Sequence, residues 1–462
     1  MPTSRASRQP TPAGGEPYTA ATKVMRQPKR SRWVKLRLGL LAALGVGLVG
    51  LGLLYWQVHR LAQAITVADV RPNPPFGSPL LGANVLLIGT DERPDHPEEG
   101  VRSDTLILAR LDAAGRWVSL LAIPRDSQVA LPQVGLETTK INVAYGQGYA
   151  AAQALYRPAV TPQQGGMALA AQTVETFLGL PKRSMRVDFV ATVNFAGFAG
   201  LIDALGGVTV DVPTYILDAA YPTEDFGVMR VEFQPGPQYM DGKTALIYAR
   251  TRHQDSDFGR AERQQQVVRA ILQAFRAKGA LGQALLLPSL LRAVAGEAGG
   301  TPPVLTTLPL DRPDVLLGLL GLASGLDPDA MGQFRLGANQ LSAEDGSNLI
   351  FDPVAVQTLL DQWQRAPSEA REAATVQVFN GTAVDGLASQ VSFDLERQGF
   401  RMLPPGNGPS AERTRVYDVG GASATSRRLA RTLSAELLSG PPPDVTSAAT
   451  IVVIIGPPPP GG

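Results

Sequence analysis

The stretch from Asp241 to Phe275 constrains the fold most, because an amphipathic helix in it carries arginines on its apolar face. Apolar side chains recur every four residues along two adjacent stripes, as in a helix that packs on a core. The stripes consist of Val267, Ile271 and Phe275, and of Val268 and Leu272. Continued backwards in the same steps, the first stripe reaches Arg263, and the second reaches Gln264 and Arg260. A guanidinium group at such a position needs a buried partner.

The residues before this helix carry two more arginines. The pattern of residues 245–251 predicts a strand that directs Arg250 and Arg252 to one face. The helix is expected to begin near Arg260, with Asp257 as its cap. Four guanidinium groups at a helix start form a site for a strongly anionic group. A solvated charged turn with local ion pairs is the alternative, and the place of the arginines on the apolar stripe favours the anion site.

Composition excludes several classes of protein. The 462 residues suffice for two or three domains, and a hydrophobic content of 44% allows sizeable cores. Cysteine is absent, which excludes disulfides, thiol nucleophiles and cysteine zinc sites, and the 3 histidines leave little room for a histidine metal site. Basic residues concentrate in residues 1–37, and acidic residues exceed basic ones in the remainder, so a nucleic-acid partner is not expected.

The N-terminal segment predicts a membrane anchor. Residues 38–56 form an apolar run without a charge, long enough for a helix that crosses a bilayer. A basic flank precedes the run, so the N-terminus is expected in the cytoplasm and the following domains outside it. A signal peptide cleaved near residues 62–64 is the alternative, which the length of the apolar run disfavours.

Three apolar runs predict strands whose ends carry charged residues. The runs are residues 85–88, 105–111 and 118–123. If these three strands form an up-down-up meander, the end of the first strand, the start of the second strand and the end of the third strand lie at the same edge of the sheet. Asp91, Asp104 and Arg125 would meet there, and two carboxylates suit a hard cation such as Mg²⁺. The alternative is that these two aspartates cap turns and bind no cation.

These motifs resemble those of the LytR-CpsA-Psr family of cell-envelope proteins. The matching segments are NVLLIGTDER (84–93), RSDTLILARLD (102–112), LLAIPRDS (120–127), TKINVAYGQG (139–148), FAGLIDALGGVTVDV (198–212) and MDGKTALIYARTRHQDSDFGRAERQ (240–264). Residues 375–456 resemble the LytR C-terminal domain. The resemblance implies an α/β fold with a mixed central sheet flanked by helices, followed by a second, smaller α/β domain.

The implied domain organisation follows the chain in order. Its parts are a disordered basic cytoplasmic segment (1–37), a transmembrane helix (38–58), a Pro-rich spacer (59–80), a LytR-CpsA-Psr catalytic domain (81–364), a linker (365–374), a LytR C-terminal-like domain (375–456) and a disordered tail (457–462).

The resemblance implies an enzyme of the bacterial cell membrane with extracytoplasmic domains. Such a phosphotransferase moves a glycan polymer from a polyprenyl-pyrophosphate carrier onto peptidoglycan or another envelope acceptor. A pyrophosphatase acting on the same lipids is one alternative. A non-catalytic, membrane-tethered binder or regulator of cell-wall assembly is another, although such a binder would not need Asp91, Asp104 and Arg125 together.

The resemblance also implies roles for individual residues. The predicted ligands of Mg²⁺ (or Mn²⁺) are Asp91 and Asp104. The predicted pyrophosphate-binding residues are Arg102, Arg125, Arg250, Arg252, Arg260 and Arg263. The predicted catalytic set is Asp91, Asp104, Arg125, Arg250 and Asp257, the last of which orients arginines or helps to activate the acceptor hydroxyl. The predicted lipid-binding residues are Phe195, Phe198, Leu201, Ile202 and Leu205, in a segment that a plain core helix also explains. Lys140 and Asn142 are weaker candidates, because a helix cap explains them equally well.

Overall fold

A computed structural model describes residues 32–74, 78–92, 101–112, 117–223, 227–251, 257–297, 299–328, 331–367, 372, 374–397 and 400–457. The helices are α1 (Arg32–Ile65), α2 (Val143–Ala150), α3 (Ala152–Leu155), α4 (Pro162–Leu178), α5 (Phe195–Leu205), α6 (Gly242–Arg250), α7 (Asp257–Ala277), α8 (Gly279–Ala295), α9 (Pro313–Gly325), α10 (Pro353–Trp363), α11 (Leu387–Arg397) and α12 (Ser423–Thr432). The strands are β1 (Ala83–Thr90), β2 (Ser103–Leu111), β3 (Val118–Ile123), β4 (Gln128–Leu131), β5 (Leu136–Lys140), β6 (Phe189–Val193), β7 (Val208–Val212), β8 (Ile216–Pro222), β9 (Val228–Phe233), β10 (Gly236–Met240), β11 (Val304–Thr306), β12 (Met331–Arg335), β13 (Leu341–Asp345), β14 (Asn348–Phe351), β15 (Thr375–Asn380), β16 (Arg401–Met402), β17 (Gly406–Asn407), β18 (Arg415–Asp418), β19 (Glu436–Ser439) and β20 (Ile451–Ile455).

The chain divides into two units, Met1–Leu54 and Tyr55–Gly462. In the first unit, the described part of α1 exposes large apolar side chains, among them Leu40, Leu41 and Leu44. Among the described residues, no helix combines the length and the apolar character that crossing a membrane requires. The predicted membrane span over residues 38–56 is therefore not confirmed.

A mixed sheet of six strands forms the centre of the second unit, in the order β11-β6-β1-β2-β3-β12. The predicted meander is confirmed, because β2 lies antiparallel between β1 and β3, with Leu108 opposite both Leu86 and Leu121. β6 joins β1 and β12 joins β3 in parallel, and β11 lies antiparallel to β6. The charged ends of β1, β2 and β3 therefore lie at one edge of the sheet.

Helices cover both faces of this sheet. On one face, Leu86 packs in a cluster with Tyr145 of α2 and Val174 of α4. On the other face, Ile107 packs in a cluster with Val268 of α7. This division follows from the alternation of side chains along a strand, which sends successive residues to opposite faces. The predicted fold class, a mixed central sheet flanked by helices, is confirmed.

A separate sheet lies near the C-terminus, with strand order β16-β15-β20-β18-β19 and β17 paired to β15. Every residue of β20 is buried, as expected for a central strand. Leu395 of α11 and Leu429 of α12 pack in one cluster with Val453 of β20. These elements form the second, smaller α/β arrangement that the sequence predicts.

The prediction of a strand over residues 245–251 is wrong, because helix α6 occupies this position. The side chain of Asp241 accepts a hydrogen bond from the Thr244 backbone N–H at 2.8 Å and thereby caps the helix. Ala245, Tyr248 and Ala249 are buried at helical spacing. The following helix, α7, begins at Asp257 itself, three residues earlier than expected.

Candidate functional site

The structure places Asp91, Asp104 and Arg125 together where β1, β2 and β3 end. Arg125 Nη1 donates to Asp104 Oδ1 at 2.8 Å. The backbone N–H of Arg102 donates to Asp91 Oδ1 at 2.6 Å, and the Asp91 N–H donates to the Arg102 carbonyl at 3.2 Å. The side chain of Arg102 is exposed. The meander thus forms the edge cluster that the strand pattern predicts.

The two carboxylates of this cluster repel each other. Burial raises the pKa of Asp91 above its ordinary value, a hydrogen bond from the Arg102 backbone opposes this shift, and repulsion from the Asp104 carboxylate raises the pKa further. A divalent cation between two mutually repelling carboxylates would relieve that repulsion. Among the described residues, no group of three or more His, Asp and Glu side chains is placed to hold a metal ion. Two aspartates still fit Mg²⁺, which usually completes its shell with water and phosphate oxygens.

An apolar cavity of about 550 Å³ borders this cluster. Its wall includes Asp104, the aspartate that pairs with Arg125. Apolar lining comes from the sheet and from three helices, namely Leu87, Ile107, Phe195, Phe198, Leu201, Leu246, Val268 and Ile271. The polar and charged side chains of the lining are Asp104, Thr105, Asn194, Asp218, Arg250, Arg260 and Gln264. An apolar chain with an anionic head matches such a lining.

The residues predicted to bind lipid do not all reach this cavity. Phe195, Phe198 and Leu201 line it, and they follow one another at the three-residue spacing of a helix face. Ile202 and Leu205 are buried and are absent from the cavity lining. The same helix turns these two side chains into the protein core, so the cavity lining does not include them and their lipid contact stays a prediction.

Arg250 and Arg260 both line the apolar cavity. The guanidinium carbon of Arg250 lies 4.2 Å from the ring centroid of Phe195 and 5.7 Å from that of Tyr221. Arg260 is only 6% exposed, as its position on the apolar stripe predicts. Two guanidinium groups therefore border the space that also contains Asp104.

The remaining predicted residues of this region have different surroundings. Arg263 is buried, but it donates to the carbonyl of Thr251 at the end of α6, and it lines no cavity described here. The side chain of Arg263 therefore links helix α7 to the end of helix α6. Arg252 lies outside the described residues. Asp257 is the first residue of α7, and the structure does not describe its side chain.

The structure adds residues that sequence reasoning did not assign to the site. Gln264 Nε2 donates to Thr105 Oγ1 at 2.8 Å and connects α7 to β2 inside the cavity wall. Gln264 lies four residues after Arg260 on the same apolar stripe, and this position could have identified it from the sequence. Asp218 and Tyr221 of β8 are buried and line the same cavity. The sequence carries no signal for these two, because β8 is distant from the other motifs along the chain.

Two family profiles match this chain. Residues 77–299 match the LytR_cpsA_psr family, and residues 373–457 match the family described as LytR cell envelope-related transcriptional attenuator. Residues 77–299 therefore form a LytR-CpsA-Psr domain, and residues 373–457 form a LytR C-terminal domain. The first match contains all the residues of the cluster and of the apolar cavity wall named above.

Several named LytR-CpsA-Psr relatives are similar in sequence. The chain is 34% identical over 192 residues to polyisoprenyl-teichoic acid–peptidoglycan teichoic acid transferase TagV of Bacillus subtilis, covering 41% of this chain and 42% of that protein. It is 29% identical over 247 residues to the transferase TagU of Enterococcus faecalis, covering 51% of this chain and 68% of that protein. The chain thus spans less than half of the length of that TagV and about two thirds of that TagU.

Solved structures of this family are also similar. The crystal structure of B. subtilis TagV has 24% sequence identity and a TM-score of 0.45, and the similarity covers 61% of this chain and 96% of that chain. A structure of YwtF (TagT) with bound octaprenyl pyrophosphate lipid has 21% identity and a TM-score of 0.41, with 64% of this chain and 95% of that chain covered.

Proposed function

We propose that the protein is a phosphotransferase that moves a glycan polymer from a polyprenyl-pyrophosphate carrier onto peptidoglycan or another cell-envelope acceptor. The observation that carries this proposal is the apolar cavity bordered by Asp104, Arg250 and Arg260, next to the Asp104–Arg125 ion pair. A polyprenyl pyrophosphate has the same division into an apolar chain and a multiply charged head. The names of TagV and TagU, which are polyisoprenyl-teichoic acid–peptidoglycan teichoic acid transferases, support this reaction class.

In the proposed reaction, an acceptor hydroxyl attacks the phosphorus that carries the glycan. The bond from this phosphorus to the bridging oxygen breaks, polyprenyl phosphate leaves, and the hydroxyl proton passes to a base. Phosphoryl transfer of this kind depends mainly on positioning and on neutralisation of charge. We assign Arg125, Arg250 and Arg260 to the pyrophosphate oxygens, because guanidinium groups form paired hydrogen bonds with phosphate. Asp257 is proposed to orient arginines or to help activate the hydroxyl.

Asp91 and Asp104 are the proposed ligands of Mg²⁺ (or Mn²⁺). The mutual repulsion of the two carboxylates, which contributes to the raised pKa of Asp91, supports this assignment. When bound, the ion would neutralise charge on the pyrophosphate oxygens. Arg125 holds Asp104 in place through its 2.8 Å bond, and the Arg102 backbone holds Asp91.

The test is incubation of the purified protein with a polyprenyl-pyrophosphate glycan, Mg²⁺ and peptidoglycan fragments, followed by mass analysis. The proposal expects a glycan–phosphate–peptidoglycan product together with polyprenyl phosphate. Release of free glycan phosphate without a coupled product would identify a pyrophosphatase. Binding of the lipid with no product of either kind would identify a binder or regulator and would overturn the proposed transfer.

We also propose that residues 38–56 anchor the protein in the bacterial cell membrane, with the N-terminus in the cytoplasm and the catalytic and C-terminal domains outside. The uncharged run and its basic N-terminal flank support this orientation. The exposed apolar side chains along α1, such as Leu40 and Leu44, are compatible with a lipid environment.

A further inference from the structure

Helix α8 presents exposed leucines on its outer side. Leu281 is 75% exposed and Leu285 is 68% exposed, and their helical spacing places both on one face. Gln283 lies on the inner side, where its amide donates to the Phe275 carbonyl of α7 at 3.1 Å and accepts from Ser324 Oγ of α9 at 2.5 Å. Helix α8 is therefore fixed against α7 and α9, and its two leucines remain outside this contact.

Helix α9 adds a third leucine, Leu317, which is 65% exposed. Single exposed leucines are common on protein surfaces, whereas several on neighbouring helices mark an interaction surface. We refer to Leu281, Leu285 and Leu317 as the leucine surface. Helix α8 contains no Asp or Glu, while Lys278 just before it and Arg292 near its end are both exposed. Apolar and basic residues without acidic ones are typical of a helix that lies on a lipid surface.

The chain segment that enters the second unit packs beside α8. Val58 and Leu61, from residues 55–65 of α1, belong to one apolar cluster with Leu287 of α8. Leu285 lies two residues before Leu287, and Leu281 lies six residues before it, which corresponds to about 3 and 9 Å along the helix axis. The exposed leucines of α8 therefore come directly before this cluster along the helix.

A second contact joins the same segment to the start of α9. His59 Nδ1 lies 2.9 Å from the Asp311 carbonyl oxygen, and Pro313, two residues later, is the first residue of α9. Leu317 follows Pro313 by about one helical turn. Residues 55–65 are therefore joined to both helices that carry the leucine surface.

The position of residues 55–65 in the chain indicates what covers the leucine surface. The proposed membrane anchor, residues 38–56, ends two residues before Val58. Tyr55 and Trp56 are exposed aromatic residues, of the kind that concentrates at the boundary between lipid and water. Chain connectivity alone therefore keeps Val58, and the α8 cluster to which it belongs, close to the bilayer boundary.

We propose that the leucine surface rests on the bilayer, with its three side chains in the headgroup region. This inference rests on the proposed anchor and the proposed function. The apolar cavity approaches the same place, because Leu201 of α5 lines the cavity and also belongs to the cluster of Val58 and Leu287. Contact of this face with the bilayer brings the cavity close to the lipid phase that contains a polyprenyl chain.

The chain contains no cysteine, so single thiol labels can test this contact. Leu281→Cys and Leu285→Cys are made in the full-length protein, coupled to an environment-sensitive fluorophore and reconstituted in vesicles of phosphatidylglycerol and phosphatidylethanolamine. Lipids with a nitroxide on the acyl chain should quench both labels, and the emission should shift to shorter wavelength. Val354→Cys is the matched control, because Val354 is 73% exposed on α10, which packs on the other face of the central sheet. Its label should show neither change.

A charged double variant tests whether the contact serves turnover. Leu281→Asp combined with Leu285→Asp should turn over lipid-linked glycan in vesicles roughly tenfold more slowly, because two leucines lose their apolar contact. The same variant should turn over a short-chain, water-soluble analogue at the parental rate and melt at the parental temperature. Val354→Asp is the control and should match the parent with both substrates.

Several results would overturn the proposal. One is quenching at positions 281 and 285 that is no greater than at position 354. Another is a double variant that loses turnover equally with both substrates. Disulfide-linked dimers of unlabelled Leu281→Cys, formed equally well with and without lipid, would assign the leucine surface to a second copy of the chain and would also overturn it.

The same experiments separate this inference from the proposals on which it rests. If the parent protein did not float with the vesicles, the proposed anchor would be wrong, and the inference would fall with it. If the labels were quenched as expected but the parent turned over neither substrate, the proposed reaction would fail and the membrane contact would stand.

Discussion

The guanidinium group of Arg250 is oriented by aromatic rings of the protein itself. It lies 4.2 Å from the Phe195 centroid and 5.7 Å from the Tyr221 centroid, both within the range of cation–π attraction. The lipid contact of Phe195 stays a prediction, and the structure shows that its ring contacts a charged side chain. A planar guanidinium fixed in this way retains its paired donors for a phosphate.

For individual residues, we predict that Asp91→Asn and Arg250→Lys lose activity for different reasons. Asp91→Asn should weaken metal binding, so part of the turnover of lipid-linked glycan should return at high Mg²⁺. Arg250→Lys keeps the charge but loses the planar group and its paired donors, so turnover should remain about 100- to 1,000-fold lower at any Mg²⁺ concentration. The measurement is a Mg²⁺ titration of turnover, with thermal melting alongside.

Two outcomes of this titration would contradict the proposed site. If both variants melt far below the parent, Asp91 and Arg250 serve the fold as structural ion pairs. If both remain folded and turn over at the parental rate without added metal, these residues form no Mg²⁺–pyrophosphate site.

Helices α5 and α6 approach each other so closely that glycine is required at position 242. A Cβ atom there would collide with the backbone carbonyl group of Ala199 in α5. The Gly242 N–H also donates to Asp203 Oδ1 of α5 at 2.7 Å. Since Phe195 lies on α5 and Arg250 on α6, this helix contact also sets the distance between these two side chains.

At the scale of these elements, we expect Gly242→Ala to destabilise the protein by about 1–3 kcal/mol, because a backbone atom cannot move aside cheaply. The variant should also lose turnover at temperatures where it remains folded, since Arg250 is displaced. Gly321→Ala is the matched control, because a Cβ there meets nothing within 4 Å and the site lies within α9. This control should gain roughly 0.5–1 kcal/mol. Equal melting temperatures for the two variants would refute the close contact.

For the whole molecule, Trp363 marks how far along the chain the packing on the central sheet extends. Its ring is fully buried, and its Nε1 donates to the Ser119 carbonyl at 3.1 Å on the central sheet. Farther along the chain, the carboxylate of Glu372 accepts from the backbone N–H groups of Ala424 and Thr425 at 2.8 and 2.9 Å. Trp363 thus packs on the first sheet, and Glu372 caps a helix of the C-terminal region.

A stop after residue 370 should therefore leave a folded protein with its lipid pyrophosphate chemistry intact. A stop after residue 361 removes Trp363 and should destabilise the remainder by about 3–5 kcal/mol, the cost of losing a buried aromatic side chain. Thermal melting and turnover of both truncations test this division. A fragment ending at residue 370 that folds but has no activity would show that the C-terminal region contributes to the site.

The proposed membrane orientation predicts which parts a protease can reach. A protease added outside intact cells or spheroplasts should digest the chain beyond about residue 80 and spare the N-terminus. Immunoblotting with tags at both ends reads out the result, and detergent-permeabilised cells are the control in which both tags disappear. A C-terminal tag protected in intact cells would contradict the extracytoplasmic assignment.

Periodic patterns in the sequence were sufficient for much of the framework. The apolar runs predicted β1, β2 and β3, and their order implied that Asp91, Asp104 and Arg125 meet at one edge. The stripe along α7 predicted the burial of Arg260. These predictions succeeded because strand and helix periods are local properties, and because sequence-adjacent strands commonly pair.

The tertiary structure decided features that depend on contacts between distant segments. Residues 245–250 form a helix because Asp241 caps it and its buried face packs against other elements, which outweighs the apparent strand alternation. Only the docking of α5 showed that Ile202 faces the core while Phe198 faces the cavity. Asn142, a candidate helix cap in the sequence, likewise makes no capping hydrogen bond with its side chain where α2 meets β2 and β3. Local sequence determined the elements and their charged ends, whereas packing between distant segments determined which side chains face a ligand.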